Sequence, residues 1–405
     1  MLNYRAKMYL RVFLTVTLCG CVLAALDYHC SEHAALQLAK KPSYEFSMRM
    51  LQRVTEDKDS HFVYSPVSTW LELSALAEGA TGVTWREIWK VTKHHRNKCF
   101  RRKLSDVLNK LKRDLGSESK RQSVIAVDSF MGVRKNYIRK IQKLFGIKVL
   151  VLDFSDLEKS ANEVNNAIED GTDGEINTTV YIDDFNSTVL LISDANYFRN
   201  EWKRPFNTAY TTVQPFYSKN GIGEVSMMNQ VGYFHITDFP FLEAKVLEIP
   251  MANRRITTLI FLPTSNYWIG EIFYKLQRTR LTSIFNMFKG HGSQLVNVTM
   301  PRFKQRTEVN NLSELIYDMG IKRMFNPNNA EFRGISKYKI YASLMTQTTE
   351  ILVDEKGITA TADFLVNNNN TAIEFLVNKP FVYMVVDRKT ELILFAGAYS
   401  TPSLL

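Results

Sequence analysis

Residues 189–206 read Val-Leu-Leu-Ile-Ser-Asp-Ala-Asn-Tyr-Phe-Arg-Asn-Glu-Trp-Lys-Arg-Pro-Phe, and the chain changes character there. Val189 to Ser193 is an apolar run rich in β-branched side chains, the signature of a strand. Upstream, Phe46 to Thr55, Pro66 to Leu76 and Asn162 to Glu169 carry helical spacing. Downstream, Val246 to Ile249, Thr257 to Leu262, Val296 to Met300, Phe381 to Val386 and Leu392 to Ala396 read as further strands. Helices first and strands later, without alternating βαβ units, predict an α+β architecture. The 405 residues, 45% hydrophobic and 23% charged, suffice for one large core or two ordinary ones. No repeat, low-complexity linker or Pro/Gly/Ser-rich boundary divides the chain, so residues 26–405 are expected to form a single domain.

The first residues carry a separate message. Arg5, Lys7 and Arg11 precede the apolar run Val12 to Leu23, small residues Ala24 and Ala25 follow, and the first acid is Asp27. This is the pattern of a secretory signal peptide over residues 1–25. The alternatives are a buried N-terminal helix, which the charge order opposes, and a lipoprotein site at Leu18-Cys19-Gly20-Cys21. No later stretch approaches the roughly 20 apolar residues of a spanning helix. The expectation is a secreted, extracellular protein without membrane contact.

Five N-x-[ST] sequons, at Asn177, Asn186, Asn297, Asn311 and Asn369, suit an exported chain and oppose the lipoprotein reading. Cys19 and Cys21 fall inside the signal, and the remaining Cys30 and Cys99 either pair or stay free. The formal net charge of +10 is unevenly spread: between Lys93 and Arg121 stand eleven Lys or Arg residues and two histidines against Asp106, Asp114 and Glu118. Phe100, Leu104, Val107, Leu108, Leu111 and Leu115 recur at helical spacing and give one apolar face. The basic residues, with Arg101, Arg102, Lys110, Lys112 and Arg113 as candidates, then form either a plain solvated face or a site for a sulfated, heparin-like polyanion.

Enzymatic chemistry lacks its parts. There is no G-x-S-x-G elbow, H-E-x-x-H helix, G-x-x-x-x-G-K phosphate loop or C-x-x-C pair. His94 and His95 lie side by side, where they do not share a helix face. No catalytic residue, cofactor or metal set is expected, and nothing in the sequence points to nucleic acid.

Ordered blocks from residue 40 to 402 carry a resemblance. Phe62-Val63-Tyr64-Ser65-Pro66-Val67-Ser68 and Leu76-Ala77-Glu78-Gly79-Ala80-Thr81-Gly82 open it, followed by Asp194 to Phe206, Met227 to Phe234, Val246 to Pro250 and Met300 to Lys304. Asp318-Met319-Gly320-Ile321, Ala330 to Ser336, Asn378-Lys379-Pro380-Phe381 and Leu394-Phe395-Ala396-Gly397 complete it. This series resembles the serpins, the family of suicide inhibitors of serine proteases. The general look is also similar to seminal-fluid serpins of insect accessory glands. The resemblance implies three β-sheets, about nine helices and an exposed reactive loop, here residues 355–377. In the family a protease cuts this loop, which inserts into the central sheet and drags the acyl-linked enzyme along. No residue of the inhibitor performs catalysis.

The hinge is identified by Glu355-Lys356-Gly357, similar to the family's E-[EK]-G, and continues Ile358-Thr359-Ala360-Thr361-Ala362-Asp363-Phe364. As an inserted strand it would turn Ile358, Ala360, Ala362 and Phe364 to the core and Thr359, Thr361 and Asp363 outward. Ile358 and Phe364 are larger than the family's usual residues, and overpacking costs about 1–3 kcal/mol. Asp194 stands where the family has asparagine, and Gln347 where it has histidine; both keep a hydrogen-bonding side chain. Two readings follow: an inhibitor, or a non-inhibitory serpin serving as carrier, signal or polyanion-binding protein.

Counting along the loop places the scissile bond among Asn369, Asn370, Thr371 and Ala372. No Lys or Arg lies between Gly357 and Asn378, which disfavours a trypsin-like target. An elastase-like enzyme could accept Thr371, and an asparagine-specific protease Asn369 or Asn370. A glycan on Asn369 would obstruct docking. The asparagine run is equally compatible with a plain flexible loop. A monomer is expected.

Overall fold

The computed structural model describes residues 30–357 and 371–405, apart from Ser117, Asn200, Arg254 and residues 266–268. The signal segment, Ile358 to Ala362, Asn369 and Asn370 lie outside the described residues. Nine α-helices fall among them: α1 (Glu32–Asp57), α2 (Pro66–Ala77), α3 (Gly82–Thr92), α4 (Lys98–Leu115), α5 (Lys135–Phe145), α6 (Leu157–Gly171), α7 (Gly270–Leu276), α8 (Leu281–His291) and α9 (Leu312–Asp318). The strands are β1 (Phe62–Tyr64), β2 (Ser119–Asp128), β3 (Lys148–Leu152), β4 (Leu190–Arg199), β5 (Thr212–Ser218), β6 (Gly221–Phe239), β7 (Ala244–Pro250), β8 (Ile256–Pro263), β9 (Gln294–Pro301), β10 (Phe303–Val309), β11 (Leu344–Val353), β12 (Ile373–Leu376), β13 (Phe381–Asp387) and β14 (Leu392–Tyr399).

The α+β class holds, with a correction to the order of elements. Three strands, β1 to β3, already lie in the helical first half. The polar run Ser119 to Ser123 hides β2, because those side chains satisfy neighbours in the sheet instead of alternating with a core. The strands form a five-stranded sheet and a nine-stranded one. The expected second and third sheets are continuous in the latter, because the 19-residue β6 pairs with β7 at one end and with β9 and β5 along the rest.

In the five-stranded sheet the order is β10-β11-β4-β2-β3. The two-residue period divides β2 and β4 between two cores. Val124, Ala126, Leu191, Ala195 and Tyr197 pack with Ala161, Val164 and Ile168 of α6. Ile125, Val127, Leu190, Ile192 and Phe198 face the large core against the other sheet. Covered on both sides, β4 is buried from Leu190 to Phe198, and its polar residues Ser193, Asp194 and Asn196 are hydrogen-bonded inside the protein. Pro66 at the first position of α2 and the Asp156 carboxylate accepting from Lys159 N at the start of α6 fix two of these helices at their N-termini.

Candidate functional site: the hinge and the fault line of the five-stranded sheet

At the centre of the five-stranded sheet, β11 and β4 run parallel and pair directly, from Leu344 beside Leu191 to Leu352 beside Arg199. The chain leaves β11 at Val353 and turns through Asp354 to Gly357. A segment returning from that turn would run antiparallel to β11, and therefore antiparallel to β4. Placed between them, it would exchange one parallel ladder for two antiparallel ones, which are slightly more stable per residue. The β4–β11 pairing is a fault line at which the two strands would have to part to admit a third.

The hinge is held by Trp202 to Phe206, part of the stretch that decided the fold. Trp202 N donates to Lys356 O at 2.9 Å, Trp202 Nε1 to Asp354 O at 2.7 Å and Phe206 N to Glu355 O at 3.0 Å. Gly357 bridges to Trp202, and a Cβ there would fall on the backbone of Trp202 and Pro205, so only glycine fits. The Glu355 carboxylate accepts from Thr211 Oγ1 at 2.7 Å and lies 3.5 Å from Arg302 Nη1. A small apolar cavity beneath the turn is lined by Phe198, Trp202, Ile351, Val353 and Met300, among others.

Both departures from the family pattern sit on the fault line. Gln347 on β11 and Asp194 on β4 are fully buried register partners. Gln347 Nε2 donates to Asp194 Oδ2 at 3.2 Å, Ser65 O at 3.1 Å and Thr69 Oγ1 at 3.1 Å, and its Oε1 accepts from Ser65 N at 2.8 Å. The amide therefore ties both central strands to the start of α2. Asp194 also accepts from Ser123 Oγ and from Asn196 Nδ2. Ser68 Oγ donates to Asn196 Oδ1 at 2.7 Å.

Two residues of this centre escaped the sequence reading. Glu72 is fully buried on α2, and Arg121 of β2 reaches it at 3.8 Å and Asp194 at 3.4 Å. The signal was present: Glu72 is the one charged residue in the twelve-residue helix Pro66–Ala77. A charge so placed calls for a buried partner.

The basic helix is sorted by its surroundings. Arg101 turns inward, with its Nε donating to Glu78 and Nη1 to His95 O at 3.0 Å, so its charge is already matched. Lys110 pairs with Glu32 at 2.6 Å. Arg102, Lys112 and Arg113 are exposed. His94 is buried beneath this helix, 2.7 Å from Thr92 Oγ1, and burial followed by the charge of Arg101 brings its pKa down to about 4. Cys30 and Cys99 are disulfide-bonded, with Cα atoms 6.3 Å apart, tying the start of α1 to the first turn of α4.

Of the sequons, Asn177 and Asn186 are exposed. Asn297 is half-buried on β9, its amide donating to Glu374 at 3.0 Å, and the Asn311 amide donates to Asp57 at 2.7 Å. Thr371 is exposed and Ala372 half-buried just before β12. No helix among the described residues is long and apolar enough to cross a membrane.

A family model described as serpin (serine protease inhibitor) matches residues 41–402. The chain belongs to the serpin family, whose members act on proteases as suicide substrates and are not enzymes in the catalytic sense. Human Serpin B3 is 25% identical over 387 residues, covering 88% of this chain and 98% of its own. The fold is also that of maspin, with a TM-score of 0.81 at 22% identity over 91% of this chain and 100% of the other. Native protease nexin-1, solved with heparin, superposes with a TM-score of 0.79 at 22% identity over the same shares of the two chains.

Proposed function

We propose that this serpin inhibits an extracellular serine-type endopeptidase by taking its own cleaved loop into the fault line between β4 and β11. The observation that carries the reading is the parallel central pair, with the hinge Glu355 to Gly357 anchored at its open end. A hinge followed by Ile358, Thr359, Ala360, Thr361 and Ala362 supplies the alternation that a strand there needs. Secretion is supported by the N-terminal pattern, by the exposed sequons Asn177 and Asn186, and by the Cys30–Cys99 bridge, since disulfides persist in oxidising compartments.

The target is an elastase-like or asparagine-specific protease cutting among Asn369, Asn370, Thr371 and Ala372, because that stretch offers no basic side chain to a trypsin-like pocket. Incubation of the purified chain with one enzyme of each kind tests this. A complex that survives SDS supports inhibition, and clean cleavage without complex contradicts it, leaving the carrier reading in its place. A heparin-like polyanion is the second partner, held by Arg102, Lys112 and Arg113, whose guanidinium and ammonium groups stand exposed along α4.

A further inference from the structure

Three charged side chains converge under the fault line: Glu72 from α2, Arg121 from β2 and Asp194 from β4. Two are acids and one is a base, so a single cation faces two carboxylates in a site where both acids are fully buried. The bonding is unequal. Asp194 accepts from Ser123, Asn196 and Gln347. Neither oxygen of Glu72 finds a hydrogen-bond donor among the described residues, and Arg121 Nε lacks an acceptor in good geometry. Arg121 Nη2 is engaged by Ser123 Oγ at 2.6 Å. An ionised Glu72 would leave a buried charge without compensation, which is strongly unfavourable.

We propose that Glu72, Asp194 and Arg121 form a proton-linked latch that holds the five-stranded sheet closed while Glu72 is protonated and eases its opening once Glu72 ionises. Separating β4 from β11 breaks the Gln347–Asp194 bond and admits water beside α2, where an ionised Glu72 gains solvation that the closed sheet denies it. The proposal rests on the insertion reading above only for what opening is used for; the latch itself is a property of the uncut chain.

The direction of the effect follows from linkage. Burial first, and then the like charge of Asp194 against the opposing pull of Arg121, raise the Glu72 carboxyl well above the ordinary glutamate value of 4.5. In the opened, wetted site it returns toward that value, so the closed sheet binds the extra proton between the two midpoints. Opening is therefore suppressed at the acidic end of this window and grows as pH rises through it, by at most about tenfold per pH unit for one proton. Other charged or titratable groups face the cluster. Tyr64 of β1 is pushed far up by burial, so it stays neutral. Lys112 of α4, exposed as a residue, lines a groove shared with Arg121, and partial burial there followed by that charge lowers it. Glu118, just before β2, lies against Asn253 and Glu201 instead, and is raised to about 7 by burial and by Glu201. Tyr64 feels the Glu72 charge but stays neutral with or without it, because burial is the larger cause of its shift, so the comparison with Glu72→Gln isolates the latch.

The test uses the intact chain and a synthetic peptide of residues 358–370, with annealing followed by native gel and thermal midpoint at pH 5, 6, 7, 8 and 9. Annealing to the wild type should accelerate with pH while its own melting temperature falls. Glu72→Gln should flatten both profiles relative to wild type, and Lys219→Met, on the exposed turn between β5 and β6, should leave the wild-type profile in place. Should Glu72→Gln fold poorly, Asp194→Asn serves instead: removing the like charge leaves Arg121 to Glu72 alone and should move the rise to lower pH. Superimposable profiles for wild type, Glu72→Gln and Asp194→Asn overturn the latch. A peptide that anneals at no pH, with the difference in melting profile intact, overturns the insertion reading and leaves the latch standing.

Discussion

At the scale of single residues, the hinge is specified by what cannot be added to it. Gly357 is wedged against the backbone of Trp202 and Pro205, so Gly357→Ala should destabilise the uncut chain by about 1–3 kcal/mol, read as a lower urea midpoint with unchanged slope. Glu355 is buried, with one hydroxyl and one guanidinium as partners. Glu355→Ala removes a charge-assisted bond and should cost about 1.5–3 kcal/mol; an equal midpoint for the variant would show that the carboxylate holds nothing. The position of the hinge was legible because Glu355-Lys356-Gly357 is a local pattern. Its partners were not, since Thr211 and Arg302 reach it from places far away in sequence. Asp194 and Gln347 drew notice as departures, yet only the fold shows them meeting each other. Arg101 marks the opposite case: composition placed it in a basic face, while Glu78 draws it inward.

At the scale of elements, α4 does two jobs with its two faces. Phe100, Val107, Leu111 and Leu115 are buried, and Arg102, Lys112 and Arg113 face solvent. Neutralising Arg102, Lys112 and Arg113 together should shift elution from heparin to markedly lower salt, because each cation removed lowers the number of counterions that binding releases; unchanged elution would remove the polyanion from the account. Beneath the helix, buried His94 is neutral when folded and readily charged when unfolded. The unfolded chain thus binds more protons between the ordinary value of 6.5 and about 4, so stability should fall as pH drops through that window. His94→Gln should weaken that acid dependence in thermal melts. The bridge from Cys30 to Cys99 closes a separation of 69 residues, and Cys99→Ser should lower stability by about 2–4 kcal/mol, an effect that vanishes when wild type is melted in reductant. The amphipathic period of α4 was readable because it is local; the pairing of two cysteines was not, because spacing alone leaves them free or joined.

At the scale of the whole molecule, the fold couples a stable scaffold to an unfinished sheet. The nine-stranded sheet and its packed core account for the apolar strands after residue 189, which the sequence shows openly. Hidden from one-dimensional patterns was the parallel meeting of β4 and β11, since these strands lie some 150 positions apart and neither announces its partner. On the insertion reading proposed above, that meeting is where a further strand would fit and where the uncut chain would store free energy. Insertion would bury Ile358, Ala360, Ala362 and Phe364 and leave the sheet with one more ladder of backbone bonds than before, a gain on the order of 5–10 kcal/mol. The direct measurement is the melting temperature before and after cutting the loop within residues 369–372. The account predicts a rise of roughly 10–20 °C in the cut chain, at about 2 °C per kcal/mol for a protein of this size. An identical melting temperature for cut and uncut protein would contradict it.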